Sequence, residues 1–482
     1  MNPIVGFAPD ADTTLPGVLV DCKNLLPCAL GMRPAPTEVP AGVNALPDEV
    51  RGAIAAVDLT GSRIAVVGTT AGLYRMNGAT WVDSAPGAAI SLGGDERWSF
   101  GQFANSTVAT SLSTGMLIAT GADFTAIVDA PKAKILVVVK GFVMAFNTED
   151  SIYDVSPDRW WCSAYLNASD WVPNVATLCT TGRLVESGGA ITAAERLGDD
   201  VVVYKRRSTF LGRFTGPAEV WNFTHIDGEV GCVGQEAICS TGKLHYFVGD
   251  DDFYTFDGVQ VKPLGRGVLR DWYTSQRDPK YIHRSIAFWD KISQLIWFFF
   301  PSTETMGVID RGVVFHPDTG KWGRIDCNVQ TLMRYASPPA TYDTGIEGIG
   351  SYEDGPSIPY DSPFWIESQE LIAGFDQNNL LVTFSGMAAD SSFTTGDYGA
   401  DDEQSWCDRL TPRFKASPVE AVCTGYTKVE SGSSAEQQSQ VPWQDGVFKL
   451  RQRDRWHSFK VELKGDYTLT GLQPRLKSAG YR

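Results

Sequence analysis

The five histidines of this 482-residue sequence are the first side chains to consider for catalysis, because imidazole can serve as a base or a metal ligand near neutral pH. They stand at positions 225, 245, 283, 316 and 457. None belongs to an HExxH motif, which would place two imidazoles and a glutamate on one helical face. A lone histidine among strand aromatics is usually a core or surface residue, so the spacing favours no catalytic role.

Cysteine chemistry is equally unsupported. The nine cysteines are at positions 22, 28, 162, 179, 232, 239, 327, 407 and 423. They form no CxxC pair and no Cys/His spacing suited to zinc, and we interpret them as reduced, mostly structural thiols.

The sequence also lacks the motifs of phosphate-binding loops and of the nucleophile elbow found in α/β-hydrolases. The pair Gly242-Lys243 is preceded at the required distance by Ala237 rather than glycine, and Gly345, Gly348 and Gly350 do not form GxGxxG. No GxSxG motif occurs. The sequence therefore predicts no catalytic residue, no cofactor and no metal ion, and we expect a protein that is not an enzyme.

Two acidic features leave alternatives open. The run Asp250-Asp251-Asp252 could hold calcium, but it lacks the alternate spacing of an EF-hand loop, and a solvated hairpin before Phe253 is favoured. The segment Asp318 to Trp322 is similar to the Asp-box turns of sialidase propellers, but that pattern needs a Ser or Thr before the aromatic residue, and here Lys321 is followed directly by Trp322. No pair of carboxylates can be singled out for glycoside hydrolysis.

The charge balance argues against extensive binding of nucleic acid. The net charge is -16 and the isoelectric point about 4.8, so phosphate contacts would need a strongly segregated basic patch, and none is visible in the sequence. The nearest basic runs are Lys205 to Arg207 and the alternating Arg451, Arg453 and Arg455. Both lie in predicted strands, where they are typical of a solvated face.

Short strands dominate from about residue 46 to 360. Runs of four to seven Val, Ile, Phe, Tyr and Trp residues alternate with Gly, Asp, Asn, Pro and Ser clusters. Helical patterns are short, and one of the best lies at Pro47–Ala56. About six groups of four strands predict an all-β, propeller-like fold, with a seventh blade after Asp326, or one shared with the N-terminal segment, left open.

We divide the chain into an N-terminal arm or platform segment (1–45), a β-propeller-like domain (46–360) and a C-terminal β domain with long loops (361–482). A linker is predicted at Ser351–Pro363. The strongest apolar run, Leu295–Phe300, is too short to span a bilayer, and Met1–Val20 lacks the pattern of a secretory signal.

Three stretches together resemble the tail nozzle or hub proteins of short-tailed bacteriophages, also called tail tubular or DNA-stabilisation proteins. The first is Asn24–Pro27 followed by Gly31–Pro36. The second is Gly231–Gly258, and the blade that contains Val313–Asp326 has a similar pattern. The third comprises Gly446–Arg451, Arg455–Val461 and the terminal Gly480–Arg482.

The resemblance implies a structural virion protein, made in the host cytoplasm, that forms a homohexameric ring below the portal and its adaptor. Tail fibres or spikes would attach outside, and double-stranded DNA would pass through the lumen without sequence-specific binding. Acidic residues facing that lumen would repel the duplex and let it slide. The competing expectation is a propeller-type glycan-binding protein or sialidase-like glycosidase.

Overall fold

The structure, a computed structural model, describes residues 2–57, 63–87, 89–121, 123–336, 370–430 and 433–481. The predicted linker Ser351–Pro363 lies outside these residues. Nearly all of the regular structure is β-strand.

The N-terminal segment is built from short strands. They are β1 (Asn2–Pro3), β2 (Gly6–Phe7), β3 (Val18–Lys23), β4 (Leu25–Cys28), β5 (Gly31–Pro34) and β6 (Val39–Pro40). Five of the six pair with strands hundreds of residues away in the sequence, whereas β2 pairs with the adjacent strand β3.

Five four-stranded antiparallel meanders follow. The first two are β7 (Val50–Val57), β8 (Arg63–Thr69), β9 (Leu73–Asn77) and β10 (Thr80–Asp83), then β11 (Ser99–Phe103), β12 (Ser106–Ser111), β13 (Gly115–Ala119) and β14 (Thr125–Ala126). The third and fourth are β15 (Lys132–Val139), β16 (Phe142–Asp150), β17 (Asp154–Cys162) and β18 (Thr180–Arg183), then β19 (Ile191–Leu197), β20 (Asp200–Lys205), β21 (Thr209–Phe214) and β22 (Trp221–Ile226). The fifth is β23 (Ile238–Ser240), β24 (His245–Val248), β25 (Phe253–Phe256) and β26 (Val261–Pro263).

Tight turns with left-handed backbone set these hairpins. Gly78 follows Asn77 between β9 and β10 with φ of 60°, a conformation that glycine adopts without steric penalty. Residues 50–57 form the strand β7, so the helical pattern at Pro47–Ala56 was misleading. Its small apolar residues alternate between two packed faces rather than lining one side of a helix.

A short helical segment precedes the next strands. It consists of α1 (Arg270–Gln276) and a 3-10 turn (Ile282–Arg284). The meander after it comprises β27 (Ile286–Asp290), β28 (Leu295–Pro301), β29 (Ile309–His316) and β30 (Lys321–Val329), and we call it the junction meander. Its outer strand β30 pairs with β4, so it is continuous with the larger sheet of the chain.

The last blade is completed by the N-terminal segment. It contains β31 (Thr331–Ala336), β32 (Glu370–Phe375) and β33 (Leu381–Thr383), and β6 pairs with β33 as the fourth strand. The blade shared with the N-terminal segment, left open by the sequence, is therefore present. It extends to Thr383, beyond the domain boundary placed at residue 360.

The inner strands close into a ring. Each of β7, β11, β15, β19, β23, β27 and β31 contacts the next, and β31 returns to β7. Six separate four-stranded sheets are arranged as blades, and the junction meander fills the position between the fifth and the last. This confirms the prediction of an all-β, propeller-like fold of about six blades with an additional C-terminal β domain.

The C-terminal domain is a sandwich of two sheets. Its strands are β34 (Ser391–Thr395), β35 (Tyr398–Gly399), β36 (Glu403–Phe414), β37 (Glu420–Lys428), β38 (Glu436–Gln444), β39 (Val447–Asp454), β40 (Trp456–Lys464) and β41 (Leu469–Tyr481). One sheet contains β34, β37 and β40, the other β36, β39 and β41, and β38 pairs with strands of both. Strands β2 and β3 extend the first sheet, while β1 and β5 pair with β41.

One apolar core joins the propeller to the sandwich. Phe253 and Trp322, from the propeller side, belong to the same cluster of buried side chains as Phe448 and Phe459 from the sandwich. Gly323 is required at this seam, because a Cβ atom there would lie 2.1 Å from the carbonyl oxygen of Leu25 in β4. The two parts therefore share a continuous interior.

Candidate functional site

The axis of the propeller is occupied by a narrow channel of about 290 Å³. Every inner strand contributes to its wall, through residues such as Ala53, Phe100, Leu136, Glu195, Ile238, Phe288 and Leu332. Burial raises the pKa of the Glu195 carboxyl, an effect that the Arg196 backbone N–H and the Arg334 guanidinium partly offset. Polar and apolar side chains therefore share the wall of this channel.

Charged side chains cluster where the inner strands begin. Arg97 pairs with Glu236 at 2.7 Å, and the Asp95 carboxylate accepts hydrogen bonds from Arg284 and from His283, the latter at 3.0 Å. Although burial raises the pKa of Asp95, its interactions with Arg284 and His283 outweigh burial and lower the pKa below its ordinary value. These pairs tie the second blade to the fifth blade and the junction meander.

The histidines do not come together. The imidazole of His245 is fully buried, with Nδ1 3.0 Å from the Tyr204 hydroxyl and Nε2 3.0 Å from the Arg196 carbonyl oxygen. Burial lowers its pKa to about 4, so it is neutral at physiological pH. His457 bonds to Ser405 and Gln452 inside the sandwich. Among the hydrogen bonds of the described residues, none joins one histidine to another.

The basic run Lys205 to Arg207 is split by the fold. Lys205 is only 1% exposed, and its ammonium group donates to the carbonyl oxygens of Leu184 and Ser187, each at 2.6 Å. Arg206 and Arg207 stay exposed, and Arg206 pairs with Asp250 at 2.7 Å. The expectation of a solvated face is therefore wrong for Lys205, because its alkyl chain enters the blade and its head finds buried acceptors.

Replacing Lys205 with methionine is expected to lower the free energy of unfolding by about 1–3 kcal/mol, because two buried carbonyl groups would lose their donor. Urea unfolding of the variant would measure the change. Arg207→Met is the matched control, since the Arg207 side chain is 78% exposed, and it should change stability by less than about 0.5 kcal/mol. An equal loss in both variants would contradict this role of Lys205.

The acidic run Asp250–Asp252 is divided among different partners. Asp250 pairs with Arg206, Asp251 accepts from the Tyr254 hydroxyl at 2.7 Å, and Asp252 accepts from backbone N–H groups. Burial raises the pKa of Asp252 to about 6 despite those hydrogen bonds. Nowhere in the described part of the chain do three or more His, Cys, Asp or Glu side chains form a group that could hold a metal ion.

The segment Asp318 to Trp322 forms the hairpin turn between β29 and β30. Gly320 has φ of 68°, and its N–H donates to the His316 carbonyl oxygen at 2.9 Å. Asp318 is exposed at the tip, while Trp322 is buried in the shared core. The turn therefore anchors an aromatic side chain.

All nine cysteines are free, and seven of them are buried. Burial raises the pKa of Cys162 to about 12, well above the range where a thiolate forms near neutral pH.

Within the described ranges, no helix has both the length and the apolar character needed to cross a membrane.

The stretches that carry the family resemblance meet at the propeller–sandwich junction. Leu25 and Met32 from the first stretch, Phe253 from the second, and Phe448 and Phe459 from the third are all buried in one cluster. The side chains come from strands β4, β5, β25, β39 and β40. Widely separated segments of sequence therefore build a single structural unit.

The predicted solvated face is confirmed for Arg451 and Arg453, but the sequence pattern did not show how far this basic surface extends. Arg451 and Arg453 alternate with buried residues along β39 and thus share its outer face, where cations from β36 and β41 join them. The signal was hidden because these strands lie far apart in the sequence.

Comparisons with known proteins do not assign this chain to a family. No family model matches the chain, and no curated protein matches it. Among solved structures, it is similar to the extracellular domain of a one-component system from B. thetaiotaomicron, with 10% identity and a TM-score of 0.40. The alignment covers 84% of this chain and 47% of that one, so the chain spans about half of its length. A likeness at this level says nothing of function.

Proposed function

We propose that this chain is a structural virion protein, a subunit of the tail nozzle or hub ring through which a short-tailed bacteriophage retains and then ejects its DNA. The proposal rests on the sequence resemblance, and the observation that supports it best is the shared core at the junction. The three resembling stretches pack there together, as expected if they specify one assembly unit rather than three unrelated loops.

The dimensions of the axial channel favour a ring of several copies. A cavity of about 290 Å³ corresponds to a sphere only about 8 Å across, which is narrower than the major groove of a duplex alone, at about 12 Å. If the protein conducts DNA, the passage must lie between subunits and not along the axis of one propeller. A homohexamer below the portal and adaptor, with fibres or spikes outside, satisfies this requirement.

Imaging of the purified chain tests the proposal. We expect negative-stain micrographs to contain six-fold rings, either of the chain alone or after mixing with portal–adaptor complexes. Sedimentation analysis should give a mass about six times the 52.5 kDa of one chain.

A chain that stays monomeric and does not associate with portal–adaptor complexes would contradict the proposal. Binding of glycans by such a monomer would support a propeller-type lectin or glycosidase in its place.

A further inference from the structure

One face of the sandwich is strongly basic. Along β39 the side chains of Phe448, Leu450 and Gln452 are buried, while the alternate residues are exposed. The neighbouring strands β36 and β41 pair with each other, and β36 also pairs with β39, so the three form one continuous surface. Its exposed cations are Arg409, Arg413, Lys449, Arg451, Arg453, Arg475 and Lys477. We call this surface the basic face.

Few carboxylates neutralise the basic face. Asp408 lies among Lys477, Arg409 and Arg475, at 2.8, 3.5 and 3.8 Å, and Asp445 pairs with Lys449 at 3.0 Å. No other ion pair to these seven cations occurs within the described ranges. Five positive charges therefore remain in excess on a chain whose net charge is -16.

The cations around Asp408 lower the pKa of its carboxyl. The hydrogen bond from Lys477 lowers it and outweighs the opposing effect of burial, and the charges of Arg475, Lys477 and Arg409 lower it further. A single carboxylate thus neutralises part of the charge of three cations. The other arginines of the face, Arg413, Arg451 and Arg453, form no ion pair among the described residues, so their charge is available to a ligand.

The size of the basic face suits a nucleic-acid backbone. Lys449 to Arg453 span about 13 Å along β39, and three strands are about 10 Å wide. Because phosphates of one DNA strand recur about every 3.4 Å along the helix axis, the face can meet about three or four of them. On the middle strand β36, at one end of the face, Trp406 is 37% exposed and is paired in register with Arg453 on one side and Lys477 on the other.

We infer that the basic face binds the phosphate backbone of DNA without sequence preference. The cations would displace condensed counterions from the duplex, which is the main source of non-specific affinity. The sequence led us to expect that acidic residues would only repel DNA. On this inference, repulsion is confined to the acidic parts of the chain, which lie outside the basic face. The face is complete within one chain, so the inference does not require the ring.

Fluorescence anisotropy of a short labelled duplex, titrated with the full chain at several salt concentrations, tests this inference. We expect binding at low salt, with a slope of log K against log salt of about -3. The variant Arg413→Gln/Arg451→Gln/Arg453→Gln should weaken binding about tenfold or more and bring the slope close to zero.

A matched triple variant controls for net charge. Arg207→Gln/Arg213→Gln/Lys243→Gln removes the same three charges from exposed positions on the propeller and should change affinity less than about twofold. Equal losses in the two variants, or no binding by the parent chain at low salt, would overturn the inference. Equally effective competition by an acidic peptide of matched charge would also overturn it, and would assign the face to an acidic protein.

Imaging of the same variants separates this inference from the proposed function. Rings that do not bind the duplex would contradict DNA binding by the basic face but would still support the proposed nozzle function. Duplex binding by a chain that forms no ring would support DNA binding by the basic face and contradict the nozzle function.

Discussion

Replacing Trp322 with alanine is expected to lower the free energy of unfolding by about 3–5 kcal/mol. The indole is 2% exposed, and its centroid lies 4.7 Å from the ring of Phe315, 5.5 Å from Phe253 and 6.1 Å from Phe298. Its removal leaves a cavity where propeller and sandwich share their core. Both parts should therefore melt at a lower temperature, which calorimetry and urea unfolding would measure.

The control for this substitution is Trp406→Ala. It deletes the same side chain from a partly exposed surface position, so it should change stability much less. If the two variants lost equal stability, or if only one part of the Trp322→Ala protein became less stable, the junction core would not couple propeller and sandwich.

Replacing Asp252 with asparagine is expected to raise the free energy of unfolding at pH 7 by as much as about 3 kcal/mol. This carboxyl is 1% exposed, and burial raises its pKa from 3.8 to about 6. Its Oδ1 accepts N–H groups of Phe253 at 2.7 Å and Gly265 at 2.9 Å, and an asparagine oxygen can accept both. The variant thus keeps the hydrogen bonds and loses the buried charge.

The pH dependence gives the prediction its sign. Below the unfolded pKa of about 3.8 the carboxyl is protonated in both states, and the burial of charge has no effect. As the pH rises towards 6, the unfolded chain loses its proton first, so the parent protein loses stability relative to the variant. The advantage of Asp252→Asn should grow between pH 4 and 6 and stay constant above that range.

The adjacent Asp251 supplies a control of opposite sign. Although burial raises its pKa, the Tyr254 hydroxyl and the Arg270 guanidinium outweigh burial and lower it. Asp251→Asn should therefore destabilise the protein at pH 7. Destabilisation by Asp252→Asn as well would show that its ionised form is needed in the folded state.

In the parent protein, the titration of His245 opposes the contribution of Asp252 to the pH dependence of stability. Because burial lowers the pKa of this imidazole from 6.5 to about 4, acidification through that range protonates the unfolded chain preferentially and reduces stability. Asp252 acts in the opposite direction over nearly the same interval. The variant should consequently become more sensitive to acid than its parent.

Local sequence patterns specified most of the propeller. Hairpins such as Phe253–Phe256 followed by Asp257-Gly258 carry their own turn chemistry and alternation, so their strands could be predicted without knowledge of their partners. The exception was β7, whose alanines and glycine suit a tightly packed inner strand but also occur in helices. Propensity alone does not separate these cases.

Long-range pairing was beyond such patterns. Nothing in Val39–Pro40 indicates that it completes a blade with Leu381–Thr383, because the pairing depends on ring closure. The sequence showed only part of the basic face: Arg451 and Arg453 stood out as the solvated side of one strand, whereas Arg409 and Lys477 look like isolated charges until three strands lie side by side. Lys205 likewise reads as a surface cation until its buried acceptors are known.

The pairing of the first strands with the last ones has a consequence for biosynthesis. β1 pairs with Leu472 and Gly471 of β41, and β3 needs β34, so the N-terminal strands leave the ribosome hundreds of residues before their partners. At about 5–20 residues per second, this delay is roughly 20–90 s. Nascent chains therefore hold exposed strand edges through most of translation, and we expect their yield to depend on chaperones that shield them.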